Sequence, residues 1–230
     1  DDTEPSPPEL EGTWAHKLVT SSINDAPIIG EVVSQTITYQ KLDVEQQGDQ
    51  LQMTEQTCDV DIKSNQGAVR TTVPDRFVSH INPVERTAEL RRHDGDWYLF
   101  APRAVKTFGI RLDDPYADLP TDPNDPRVFD QDEDGKPGMT AEVDGVLSGE
   151  LHLVQRSWDQ WWGEVVDPDH VGGLIDWNTD QVVVSRSGSI FGEISPAEPH
   201  PNERQSYFRM ARVDDDTDCA EIAQQKDALF

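Results

Sequence analysis

Apolar residues recur at every second position in short runs along most of this chain, and glycine- and aspartate-containing turns separate the runs. Leu51 and Met53 alternate with polar neighbours after Gln47-Gly48-Asp49, and Ala88 and Leu90 do so before Asp94-Gly95. Farther on, Leu151 and Leu153 alternate with Glu150 and His152. A two-residue period is that of a strand with one buried face, and an Asp-Gly pair between two such runs is a strong hairpin signal. Nine or ten strands are expected at hairpin-like intervals, with no alternation of strands and helices. That pattern predicts an all-β fold, an antiparallel meander closed or nearly closed into a barrel.

Four local expectations refine this plan. Residues 1–10, rich in proline and acid, form a disordered tether, and residues 11–230 form one domain. Between Val32 and Gln46, Ile37 and Tyr39 share one parity while Leu42 and Val44 share the other, which predicts a bulge or a bend in that strand. Gly172–Ile175 and Gln181–Ser185 read as two strands around a turn at Asn178–Asp180. At the far end, Asp218 with Glu221 three residues on is a capping-box pattern opening a short helix that carries Ile222 and Leu229.

The chain has 45 acidic against 19 basic side chains, a net charge of -26, and only six of the basic residues are lysine. Nucleic-acid affinity depends on neutralising phosphates, so this field excludes nucleic acid as a partner. No apolar run reaches the roughly 18 residues of a membrane-spanning helix. The polar, proline-rich start is what a processed export segment leaves behind, so the expected location is periplasmic, cell-surface or extracellular, with an upstream lipid anchor as one means of attachment. Cys58 and Cys219 are the only cysteines. In an oxidising compartment they pair across the chain, or else they are two separate buried thiols.

Gly12-Thr13-Trp14 stands at the entrance of the first β-prone run. It resembles the Gly-x-Trp signature on the first strand of lipocalins and related calycin barrels. The resemblance implies a lipocalin-like barrel in which Trp14 packs across the closed end beneath an arginine of the last strand, here Arg209 or Arg212.

From Asp113 to Pro126 four prolines and five aspartates forbid a regular helix or central strand, so a long loop spans about residues 113–140. It ends on Asp130-Gln-Asp132-Glu-Asp134-Gly135-Lys136-Pro-Gly-Met-Thr140. Aspartates at alternate positions turn their oxygens toward one hard cation, and the glycine permits the sharp turn that adds a backbone carbonyl. The run resembles the loops of EF-hands, dockerins and thrombospondin-type repeats. The resemblance implies calcium, with Asp130, Asp132 and Asp134 as side-chain ligands and Lys136 as a carbonyl ligand. The twelfth loop position is Ala141, where an EF-hand places a bidentate glutamate, and Glu142 follows one residue late. With a strand following in place of a helix, the site reads as a structural clip.

Trp158, Trp161, Trp162 and Trp177 form either an aromatic platform for sugar rings, with Asp159 or Asp176 bonding hydroxyls, or the bulky filling of the barrel. No catalytic constellation is assigned, because the six histidines lack zinc-site spacing and no nucleophile elbow is present. Two functions follow. The first is an exported, calcium-stabilised barrel that binds a small apolar or amphiphilic molecule. The alternative is a calcium-dependent cell-surface structural or adhesion module that binds glycan or protein.

Overall fold

The computed structural model describes residues 5–26, 30–146, 148–189 and 197–230. Eleven strands and two α-helices follow one another as β1 (Gly12–Ala26), β2 (Gly30–Gln47), β3 (Gln50–Ser64), β4 (Val69–Thr72), α1 (Asp75–Ser79), β5 (Val84–His93), β6 (Asp96–Phe108), β7 (Met139–Gly145), β8 (Gly149–Asp167), β9 (His170–Arg186), β10 (Glu198–Pro199), β11 (Tyr207–Arg212) and α2 (Cys219–Leu229). Eight of the strands close a ring in chain order, β1-β2-β3-β5-β6-β8-β9-β11 and back to β1, and every ring pairing is antiparallel. The tight turns at Gly48-Asp49 and Asp94-Gly95 fall where the hairpin signals place them. Asp94 and Gly95 both adopt positive φ, as a two-residue hairpin turn of this hand requires.

The ring is uneven. β6 pairs with β8 only as far as Phe108 opposite Gln155, and from Leu153 onward β7 takes over as the neighbour of β8. β4 then pairs with β7, so a flap of sheet rises past one end of the ring. The connection from β6 to β7, residues 109–138, leaves at that step. Its neck holds Gly109 and Gly138 at positive φ, where a Cβ on Gly138 would sit 2.2 Å from the Leu153 carbonyl oxygen. Only glycine fits there.

The opposite end is closed by apolar packing. Trp14, Leu42, Met53, Leu99, Trp161, Phe208 and Met210 are fully buried in one cluster that fills the lower half of the ring. Gly163, on the same inward parity of β8 as Trp161, leaves room for the Phe208 ring, which a Cβ there would meet at 2.7 Å. Leu10 belongs to this cluster and its carbonyl accepts the Trp14 indole N–H at 2.9 Å. The Gln46 side chain holds the Leu10 N–H and the Pro8 carbonyl. The leading segment is therefore docked from about Pro8 onward rather than tethered loosely, because Leu10 supplies an apolar side chain that the barrel end needs. Residues 1–4 lie outside the described residues.

Two further sequence expectations are corrected. β2 keeps a single phase against β1 from Gly30 to Val44. Ile37 and Tyr39 are buried on its outer face, in a cluster that includes Phe230 beyond α2, while Leu42 and Val44 are buried inside. Burial on both faces, not a bulge in β2, explains the change of apolar parity. The irregularity lies across the ladder in β3, where Gln40 pairs with Thr57 and Tyr39 with Asp59, leaving Cys58 as the extra residue. In the second case, Asn178–Asp180 is no turn but the middle of β9, paired with Arg156–Trp158 of β8. The Arg156 guanidinium bonds Asp180 across the ladder, and that cross-strand pair outweighs the turn preference of the residues.

α2 packs against β2 and β3. Its capping box is formed, with the Asp218 carboxylate accepting the Glu221 N–H and the Glu221 carboxylate accepting the Asp218 N–H. Lys226 reaches Asp59 and Asp61 on β3 at 2.6 and 2.7 Å, and a disulfide joins Cys58 to Cys219 across 161 residues. The bulge frees Cys58 from the ladder alternation, and the bridge then ties α2 to the wall.

Candidate metal centre and a buried charge network

The acidic loop packs onto the outer face of β8 and β9. Leu112, Leu119 and Val128 cover Val154, Val182 and Val184. Arg156 donates to the Pro115 and Ala117 carbonyls at 3.0 and 2.8 Å, which anchors the proline-rich part. The chain then turns back, and Asp130, Asp132 and Asp134 converge so that one oxygen from each lies within 4.8 Å of the others.

The local bonds come from the loop backbone. Asp130 accepts the N–H groups of Asp134 and Gly135, Asp134 accepts that of Lys136, and Asp132 accepts that of Thr140. Gly135 has positive φ, which the tight turn demands. Burial would raise the Asp134 carboxyl, but the Thr140 hydroxyl, the Lys136 N–H and the Arg76 and Lys136 cations outweigh it and hold the group below the usual carboxylate range. Arg76 of α1 pairs with Asp134 at 3.0 Å and approaches Asp132 at 3.6 Å. One oxygen has no such partner. Asp132 Oδ1 is buried and accepts no hydrogen bond from the described residues.

Of the other expected ligands, Glu142 stands apart. Lys136 is expected through its backbone carbonyl, on which its side chain has no bearing; the ammonium pairs with Glu150 and lies 3.8 Å from Asp134. Glu142 is on β7, opposite Glu150 of β8, and is not in the converging group. It lies two residues beyond Thr140, whose backbone and hydroxyl reach the cluster, and two residues of strand carry a side chain roughly 7 Å away. The four tryptophans do not share one surface. Trp161 and Trp177 are on inward parity, Trp161 fully buried and Trp177 donating to the Ser206 hydroxyl at 2.9 Å. Trp158 and Trp162 are on the outward parity of β8, Trp158 beneath the Arg103 guanidinium and Trp162 exposed.

A second constellation is spread over four strands. Inside the ring, above the apolar floor, Arg86 of β5 lies 3.2 Å from Glu55 of β3 and 2.6 Å from Asp159 of β8. Lys106 of β6 lies 2.7 Å from Glu55 and 3.4 Å from Asp159. The Arg86 guanidinium stacks 4.1 Å from the centre of the Trp161 ring, whose N–H donates to Asp159. His16 packs 4.5 Å from the same ring, with Nδ1 3.0 Å from the Gln40 side-chain oxygen. Burial drives the His16 pKa down to about 3, with Lys106 and Arg86 adding to the effect, so its imidazole is neutral. Burial alone would lower Lys106 and raise Asp159, but the opposite charges prevail and keep both ionised.

Two anions and two cations make this network neutral, yet it is not saturated. Arg86 Nη1 and His16 Nε2 are buried without a hydrogen-bond partner among the described residues, while Glu55 Oε1 and Arg86 Nε meet only each other, as an ion pair at 3.2 Å. Its members span more than a hundred residues, so no local motif announces them. The available signal was parity: Glu55 continues the inward run of Leu51 and Met53, and Arg86 begins that of Ala88 and Leu90.

At the closed end, Arg212 rather than Arg209 lies over Trp14, 4.3 Å from the ring centre. It also donates to the Glu9, Glu11 and Pro168 carbonyls. Compared with known proteins, the chain matches no family model, no curated relative and no solved structure.

Proposed function

We propose that this chain is an exported β-barrel module whose long acidic loop is ordered by a calcium ion, and that it serves as a cell-surface or extracellular binding module. The observation that carries the calcium reading is Asp132 Oδ1. A buried carboxylate oxygen without a partner is costly, and the two neighbouring aspartates offer the oxygen set that a hard cation takes up. The ion would hold residues 130–140 against α1 and β7, while Leu112, Leu119 and Arg156 hold the earlier part of the loop.

A module is favoured over a carrier of an apolar molecule because of what fills the ring. Large side chains pack its lower half and an ionic network lies directly above them. A lipocalin-like reading draws support from the in-order ring of eight strands and from Arg212 stacked on Trp14. The disulfide and the acidic surface suit an oxidising, extracytoplasmic setting.

Calorimetric titration of calcium into EDTA-treated protein, with thermal melts in parallel, tests the reading. A site in the weak extracellular range, on the order of 10⁻⁴ M, stabilises the fold by about 2.7 kcal/mol at a hundredfold excess over Kd. Asp132→Asn should abolish both the heat and the melting shift. Absence of any calcium-dependent heat or shift in the unaltered protein refutes the site.

A further inference from the structure

The end of the ring opposite Trp14 differs in kind from the packed half. On the inward parity above the charge network stand Thr20, Thr36, Thr38, Thr57, Ser157 and Thr179, all half-buried. Lys106 and Asp159 each keep 14% of their side-chain surface exposed, whereas Glu55 and Arg86 keep none or almost none. The network is therefore the floor of a polar cup that solvent reaches, and among the described residues two of its buried atoms have neither a hydrogen bond nor an ion-pair partner, one of each kind: the donor Arg86 Nη1 and the acceptor Nε2 of the neutral His16 ring.

We propose that this cup binds a small neutral polyol, of which a pyranose sugar is the fitting class, with Lys106 and Asp159 as its first polar contacts and Glu55 and Arg86 beneath them. Neutrality follows from the charge count. Glu55 and Asp159 balance Arg86 and Lys106, so a bound anion or cation would leave an uncompensated charge in the interior, which is far costlier than hydroxyl binding. Hydroxyls suit the mixed set of vacant donors and acceptors because each can both donate and accept. The threonine and serine wall offers the same chemistry. Trp177 stands directly across the ladder from Asp159, its ring fixed by the bond to Ser206, and supplies an apolar surface for the C–H face of a sugar. The inference gives the module reading a ligand class, but it rests on residues separate from the calcium loop.

The test is saturation-transfer NMR with glucose, N-acetylglucosamine and myo-inositol as probes, in saturating calcium and again in EDTA. The variants are a charge-balanced Lys106→Met/Asp159→Asn double, which leaves the Glu55–Arg86 pair intact, the wall variant Thr179→Val, and the outer-face variant Trp162→Ala. Saturable transfer to at least one probe is expected in the unaltered protein. Its affinity should weaken about tenfold or more in the double variant, fall measurably in Thr179→Val and stay unchanged in Trp162→Ala. Transfer to none of the probes overturns the proposal, as does binding that survives the double variant or disappears with Trp162→Ala. Should the double variant fail to fold, Thr179→Val against Trp162→Ala decides alone. Calcium affinity is read separately by calorimetry, so a failed metal site and a failed sugar site give different results.

Discussion

Replacing His16 by glutamine should flatten the pH dependence of folding stability between about pH 7.5 and pH 5. His16 is fully buried against Trp161 and Phe208, and its pKa falls from 6.5 to about 3. In the unfolded chain the imidazole takes up a proton near pH 6.5, and in the folded chain it does not. Stability is therefore whole above pH 6.5, declines as the pH falls below it, and stops declining on this account only near pH 3. One pKa unit corresponds to about 1.4 kcal/mol, so at pH 5 the unaltered protein should have lost about 2 kcal/mol through this residue. Glutamine does not titrate, and the His16→Gln variant should not show that loss. Urea unfolding at both pH values measures it, and relief of acidic self-repulsion, common to both proteins, cancels in the comparison. Equal losses in the two proteins would show that His16 protonates freely in the fold, and the reasoning from burial would fail.

Other perturbations follow from the same geometry. Arg86→Met leaves Glu55 and Asp159 facing each other across Lys106 alone and should cost about 3–5 kcal/mol in urea unfolding, the usual cost of breaking a buried pair; a loss near zero contradicts the network's ionisation. Gly138→Ala drives a Cβ against the Leu153 carbonyl and should destabilise by about 4 kcal/mol or more while abolishing calcium heat. Cys58→Ser/Cys219→Ser should lower stability by about 2–5 kcal/mol without altering the far-UV spectrum, because Lys226 and Phe230 still dock the C-terminal segment.

The architecture was legible because its signals are local. Gly48-Asp49, Asp94-Gly95 and the Asp218–Glu221 box each specify a turn or a helix start within a few residues, and the structure places all three as read. The β2 parity misled because the covering residue, Phe230, lies nearly two hundred residues away. Asn178–Asp180 misled because Arg156 on the neighbouring strand decides the conformation there. In the candidate metal loop, the three aspartates are neighbours in sequence and their convergence could be anticipated, but the companion cation Arg76 comes from a helix more than fifty residues earlier. The charge network is the extreme case. Glu55, Arg86, Lys106 and Asp159 meet only through the register of four paired strands, and nothing short of that register brings them together.

The bridge between the β3 bulge and the start of α2 also determines how this protein would respond to being pulled. Force applied at the two ends of the chain reaches Cys58 and Cys219 and passes between them through the disulfide, bypassing the residues in between. Only β1, β2, the first part of β3 and the helix can then be drawn out, roughly 70 residues or about 240 Å of extended chain, against about 800 Å for the reduced molecule. The strands carrying the charge network, apart from β3, lie within the shielded span, so the interior cup's remaining wall is insulated from tension that would strip the first hairpin away.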